Sequence, residues 1–171
     1  ETEFRVERST DGGTTFDTLA TVAADSTAYS DTTTVEDAAY VYRVTACDGS
    51  SCSPFSNQVT ATTPPTAPSG LAIAAVAADQ VELAWTDNAA TETRFEVERS
   101  DDGGPFAALP DAAADAGSYI DGSAVEDTEY AYRVRACNAG GCSAYTGEAT
   151  VTTPPTAPSD LAAVPASDTA I

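Results

Sequence analysis

The chain repeats itself with a period of about ninety residues, and this constrains its folding more than any other feature. The block from Val35 to Cys47 returns from Val125 to Cys137, and the octapeptide from Thr62 to Ser69 returns letter for letter from Thr152 to Ser159. Near the N-terminus the run Phe4 to Ser9 matches Phe95 to Ser100, with a one-residue slip just after Gly12-Gly13. A fixed long period marks a serial array of one structural unit. In 171 residues there is room for one complete unit and two partial ones. Function in such an array is expected to lie in repetition and reach, not in a single pocket.

Hydrophobic residues make up 42% of the chain, enough for small cores. Strand patterns dominate. Val81-Glu82-Leu83-Ala84-Trp85, Phe95-Glu96-Val97-Glu98 and Tyr130-Ala131-Tyr132-Arg133-Val134 all alternate with period two, as half-buried antiparallel strands do. Asp87-Asn88, Asp101-Asp102-Gly103-Gly104 and Asp121-Gly122 punctuate them as turns. Two Ala-rich stretches interrupt the pattern: residues 72–78 read as an edge strand running into a loop, and 112–116 as a loop. Regular short strands in a unit of this size predict an all-β sandwich.

The four cysteines fall as two pairs, Cys47 with Cys52 and Cys137 with Cys142, each bracketing a turn-like tetrapeptide. A hairpin places its bracketing residues face to face, within disulfide reach. A metal would need four ligands around one ion, and the chain has no His while the pairs stand a whole unit apart. Disulfides are therefore expected, with free thiols as the alternative; disulfides imply an oxidising compartment. The loops they close are short, so they stiffen the hairpin tips more than they stabilise the fold.

In order along the chain, Pro68 with Leu71, Trp85, the run Glu92 to Gly104, Tyr119 before Asp121, and Tyr130-x-Tyr132-Arg133-Val134-x-Ala136 resemble bacterial-type fibronectin type III repeats. The resemblance covers essentially the whole chain. It implies tandem immunoglobulin-like sandwiches: a partial domain at residues 1–63 (strands C to G), a complete one at 66–153, and the start of a further one at 156–171 (strand A). It also implies strands A at 69–76, B at 80–86, C at 94–100, C′ at 106–109, E at 118–120, F at 130–137 and G within 142–152. Trp85, Phe95, Val97, Tyr130, Tyr132 and Val134 should meet in the core. Tyr130 and Tyr40 take the place of the family's tyrosine corner, ring inward and hydroxyl on backbone, although Val125 and Val35 lead in one position closer than in the commonest pattern.

The partial units support two explanations. In the plain one, the sequence is a window on a longer array. In the sharper one, the tail from Thr156 to Ile171 of one copy fills the gap in the first unit of the next, giving head-to-tail self-assembly by strand complementation. The tail lacks the Trp-bearing segment, which counts against the sharper explanation. The joint Thr62-Thr63-Pro64-Pro65-Thr66-Ala67-Pro68 is dense in Pro and should be semi-rigid.

There are 27 acidic residues against seven basic ones, all Arg, for a formal charge of −20. Such a surface repels phosphate, which argues against nucleic acid and anionic membranes. It suits a soluble secreted or cell-surface protein, a high-salt environment or a binder of divalent cations. No apolar run approaches a membrane span. With neither His nor Lys, a Ser or Cys triad and a Schiff base are excluded, and no enzyme activity or cofactor is expected. The acidic turns at Asp11, Asp101-Asp102, Glu36-Asp37 and Glu126-Asp127 contain no dedicated calcium loop and read as turn chemistry; no metal residue is assigned. Glu96 and Glu98 should pair with Arg133 and Arg135 across neighbouring strands, each pair contributing ~0.2–1 kcal/mol. No Arg-Gly-Asp sequence occurs. The expected role is a non-catalytic extracellular spacer, stalk or filament subunit, with neighbouring repeats as partners. The alternatives are an accessory module of a secreted polysaccharide-degrading enzyme, or a carbohydrate-binding module using Tyr145 and Phe55.

Overall fold

The computed structural model describes residues 1–49 and 51–162, and among them every regular element is a strand. The strands are β1 (Glu3–Ser9), β2 (Asp17–Ala23), β3 (Ala39–Cys47), β4 (Val59–Thr62), β5 (Ser69–Ala77), β6 (Gln80–Thr86), β7 (Arg94–Asp101), β8 (Ala107–Ala108), β9 (Ala112–Ala113), β10 (Ser118–Asp121), β11 (Glu129–Asn138), β12 (Gly141–Cys142) and β13 (Ala149–Thr152). The first four form an N-terminal sheet in the order β2-β1-β3-β4. The rest form two sheets, β10-β6-β5 and β12-β11-β7-β8, with β13 pairing β11 and β9 pairing β7.

Period-two alternation decides what each sheet face carries. In the antiparallel register of β7 with β11, Val97 lies opposite Val134 and Phe95 opposite Ala136, while Glu98 lies opposite Arg133 and Glu96 opposite Arg135. One face is therefore apolar and the other charged. The apolar face packs on Val81, Leu83 and Trp85 of β6, joined by Tyr130 and Tyr132, to make a single core. Phe95, Tyr132 and Val134 are wholly buried, Val97 and Tyr130 are 1% exposed and Trp85 7%. Burying each such side chain contributes roughly 1.5–3 kcal/mol. The Trp85 and Phe95 rings meet at 5.5 Å between centroids. On the outer face, Arg133 meets Glu98 at 2.6 Å and Arg135 meets Glu96 at 2.6 Å.

The N-terminal sheet repeats this pattern. Val6 lies opposite Val44 and Glu7 opposite Arg43, with the ion pair at 2.7 Å. Its apolar face lines a groove with Tyr29, Asp31, Thr34 and Tyr42, and among the described residues no second sheet lies over it.

The tyrosine corner occurs twice. The hydroxyl of Tyr130 accepts a hydrogen bond from Val125 N at 2.9 Å, and that of Tyr40 accepts one from Val35 N at 3.0 Å. The shorter lead-in still closes because the acceptor reaches back only five residues. Tyr130→Phe leaves the Val125 amide without this partner and is expected to destabilise the sandwich by about 1–3 kcal/mol. Urea unfolding followed by Trp85 fluorescence measures it.

One expectation is corrected. The stretch 112–116 is not simply a loop: Ala112 and Ala113 form β9, pairing with Phe95 and Arg94. Small side chains let this segment lie against β7, and Ala112 is buried. At the C-terminal end, residues 153–162 form no strand, and the rest of the expected strand A at 156–171 lies outside the described residues.

Candidate functional site

The turn before β3 contains Asp37, held in the left-handed region at φ 56°. Asp tolerates that conformation better than most residues because its short polar side chain bonds locally. Here the carboxylate reaches out of the N-terminal sheet altogether. It accepts hydrogen bonds from Ala90 N at 2.8 Å, Thr91 N at 2.9 Å and Thr91 Oγ1 at 2.7 Å. Those donors lie in the loop between β6 and β7, at one pole of the C-terminal sandwich. Hydrogen bonds to an ionised acceptor are about twice as strong as neutral ones.

A second contact comes from the hairpin at the end of β11. Asn138 is 8% exposed, and its Nδ2 donates to Thr63 O and to Thr91 Oγ1, both at 2.9 Å. Its Oδ1 accepts from Gly140 N at 2.7 Å, which fixes the turn. Gly140 then lies so close to β4 that a Cβ built on it would stand 1.9 Å from Thr62 O. Only a glycine permits this approach. The Cys137–Cys142 disulfide closes the same hairpin, with Cα atoms 4.1 Å apart. Cys47 and Cys52 are likewise bonded, at the same Cα separation. The disulfide therefore stiffens a tip that is itself a docking element.

Asp37, Asn138 and Gly140 together hold the start of the Pro-rich joint, at Thr62, Thr63 and Pro64, between the two halves. Asp37 N also donates to Pro64 O at 2.8 Å. Asp37 was legible only as an acidic turn residue and Gly140 only as a hairpin residue. Their partners lie in the other unit, so local sequence carries no signal of the contact. The recurrence of Val-Glu-Asp at residues 125–127 is the one hint that this turn does more than reverse the chain.

A second set of contacts lies inside each unit. Asp121 is 2% exposed. It accepts hydrogen bonds from Arg99 at 2.8 Å and from the Tyr132 hydroxyl at 2.9 Å, while Ser123 donates through both N and Oγ. Burial pushes the Asp121 carboxyl upward, but the bonds from Ser123, Arg99 and Tyr132 outweigh it and hold it below the usual carboxylate range. Asp31 repeats the arrangement with Arg8, Thr33 and Tyr42, and burial together with Asp31 pushes the Tyr42 hydroxyl up to about 12.

Tyr145 and Phe55 carry a guanidinium over the ring. Arg133 lies between the Phe106 and Tyr145 rings, at 4.0 and 4.1 Å from their centroids, and Arg43 between Phe16 and Phe55, at 3.8 and 3.7 Å. These are stacked cation–π ladders, with a guanidinium against each ring.

No protein-family model and no curated protein sequence matches the chain. Solved structures do. A two-domain fibronectin type III segment of chicken tenascin superposes with a TM-score of 0.56 at 14% identity, covering 88% of this chain and 84% of that one. The chicken CNTN1 FN1–FN3 domains give 0.54 at 15% identity; 90% of this chain is covered, but it spans only 56% of that one. Domains A168–A170 of titin give 0.50 at 20% identity, over 88% and 54%. At these identities the likeness concerns the fold alone. Sheet order, paired tyrosine corners and superposition agree: the chain is an all-β protein with the fibronectin type III fold.

Proposed function

We propose that this chain is a non-catalytic spacer of serially repeated sandwiches, working outside the cell as part of a stalk or filament. The observation that carries the reading is the joint: Asp37 and the Asn138–Gly140 tip hold consecutive units through side-chain hydrogen bonds and a glycine-only backbone approach. A flexible linker needs none of these. Asp127 supports repetition, since it occupies the position of Asp37 with a matching φ of 52° at the far pole of the sandwich. The two disulfides fit an oxidising compartment, and strong net negative charge opposes lateral clumping. With each sandwich a block of about 30 Å, from ~10 residues rising ~3.3 Å each, fixed joints convert repeat number into reach. Neighbouring repeats of the same kind are the partners this reading requires.

Backbone ¹⁵N relaxation of the whole chain tests it. A single rotational diffusion tensor should describe the amides of residues 3–62 and 69–152. Two independent tensors would mean a hinge, and the spacer reading would be lost.

A further inference from the structure

The loop that receives Asp37 also carries an acidic cluster that nothing in the spacer role uses. Asp87, Glu92 and Asp115 each place a carboxylate oxygen within 4.8 Å of the others. Asp87 and Glu92 lie on the loop between β6 and β7, and Asp115 on the turn between β9 and β10. Like charges so close repel, and one of them is out of water: Glu92 is 8% exposed. Its Oε1 accepts a hydrogen bond from Asp115 N at 3.0 Å. Its Oε2 is buried with no hydrogen-bond partner among the described residues. A buried carboxylate oxygen without a donor carries a large desolvation cost.

The chain supplies no cation to relieve it. Lys and His are absent and there are seven Arg. Every one of them is committed elsewhere: Arg5 to Glu3, Arg8 to Asp31, Arg43 to Glu7, Arg94 to Glu96 and Asp111, Arg99 to Asp101 and Asp121, Arg133 to Glu98, and Arg135 to Glu96. Among the described residues none of the three carboxylates has an arginine partner.

We propose that Asp87, Glu92 and Asp115 bind a calcium ion. The donors are all oxygen, which selects a hard cation, and three carboxylates on two loops form the irregular, partly open site that calcium accepts and magnesium, with its strict octahedron, does not. Asp87 Oδ1 is engaged by Ala89 N at 2.9 Å, which orients that carboxylate and leaves its other oxygen for the ion. Water completes the shell. Because Ala90 and Thr91 lie between Asp87 and Glu92, an ion here also braces the loop that Asp37 caps.

Isothermal titration of the whole chain with calcium chloride at physiological ionic strength provides the test, with Glu92→Gln, Asp115→Asn and the exposed Glu148→Gln compared. One calcium per chain is expected, with affinity weakened by roughly tenfold or more in Glu92→Gln and Asp115→Asn and unchanged in Glu148→Gln. Asp115 is exposed, so its variant keeps the test valid if Glu92→Gln does not fold. Terbium luminescence excited through Trp85, two residues before Asp87, gives a second readout and should be quenched by calcium. The absence of saturable binding, equal affinity in all variants, or tighter binding of magnesium would each overturn the assignment. The relaxation experiment above is independent, so a rigid chain that ignores calcium would remove this site and leave the spacer intact.

Discussion

Gly140→Ala is expected to uncouple the two halves of the chain while leaving each half folded. The added Cβ would stand 1.9 Å from Thr62 O, 2.7 Å from Thr62 C and 3.0 Å from Thr63 C. All three are backbone atoms, and none can rotate away as a long side chain could. Either the hairpin tip or the end of β4 must therefore move. The tip is tied by its disulfide and by the Asn138 turn, whereas among the described residues the two halves meet through the joint, so the joint gives way. Once it opens, the bonds from Asn138 to Thr63 O and from Ala90 and Thr91 to Asp37 lengthen together. The expected readout is a split of one alignment tensor into two in residual dipolar couplings. The Trp85-monitored unfolding midpoint of the sandwich should stay within about 0.5 kcal/mol of wild type, as for a surface change. Asp37→Asn should loosen the joint less, since the amide keeps one acceptor oxygen and tolerates the left-handed backbone. If Gly140→Ala preserves a single tensor, the close approach is not what fixes the orientation.

The contrast between what the sequence discloses and what it hides follows from where partners lie. Trp85, Phe95, Val97, Tyr132 and Val134 are legible because alternation within one strand names the buried face, whatever that face meets. That Glu96 and Glu98 share the outer face with Arg133 and Arg135 is legible from the same alternation, whereas the match of Glu98 to Arg133 comes only with the strand register. Both tyrosine corners are legible because donor and acceptor are five residues apart. The joint is not, because Asp37 and Thr91 are 54 positions apart and belong to different units, so neither periodicity nor turn chemistry links them. The cluster of Asp87, Glu92 and Asp115 is hidden for the same reason: two loops bring it together, and each acid alone reads as ordinary turn or loop chemistry. The strand β9 is hidden because two Ala residues carry no pattern.

Asp121→Ala is expected to be the most destabilising single change in the sandwich, at about 3–5 kcal/mol, because it removes one partner of a buried ion pair and strands the other. Arg99 would keep Asp101 at the surface but lose the inner carboxylate, and the wholly buried Tyr132 would lose the acceptor for its hydroxyl. Asp121→Asn is milder: it keeps an acceptor of similar shape and loses the charge. The pH dependence separates these effects from simple loss of packing. The folded Asp121 carboxyl titrates below its ordinary value, so the unfolded chain binds its proton first as pH falls. The stabilisation is therefore complete above the unfolded value of about 3.9 and is lost as pH falls through the lower folded value. Urea midpoints of wild type and Asp121→Asn, followed by Trp85 fluorescence, should differ by a constant amount near neutrality. The gap should narrow steadily once the pH drops below the unfolded value. Trp85 is the only Trp and lies in the core that Tyr132 shares, so the signal reports this sandwich and not the N-terminal sheet, where Asp31 makes the equivalent contacts. A gap that persists unchanged into acid would mean that Asp121 acts by shape alone and that its charge contributes nothing to holding Arg99 and Tyr132 in place.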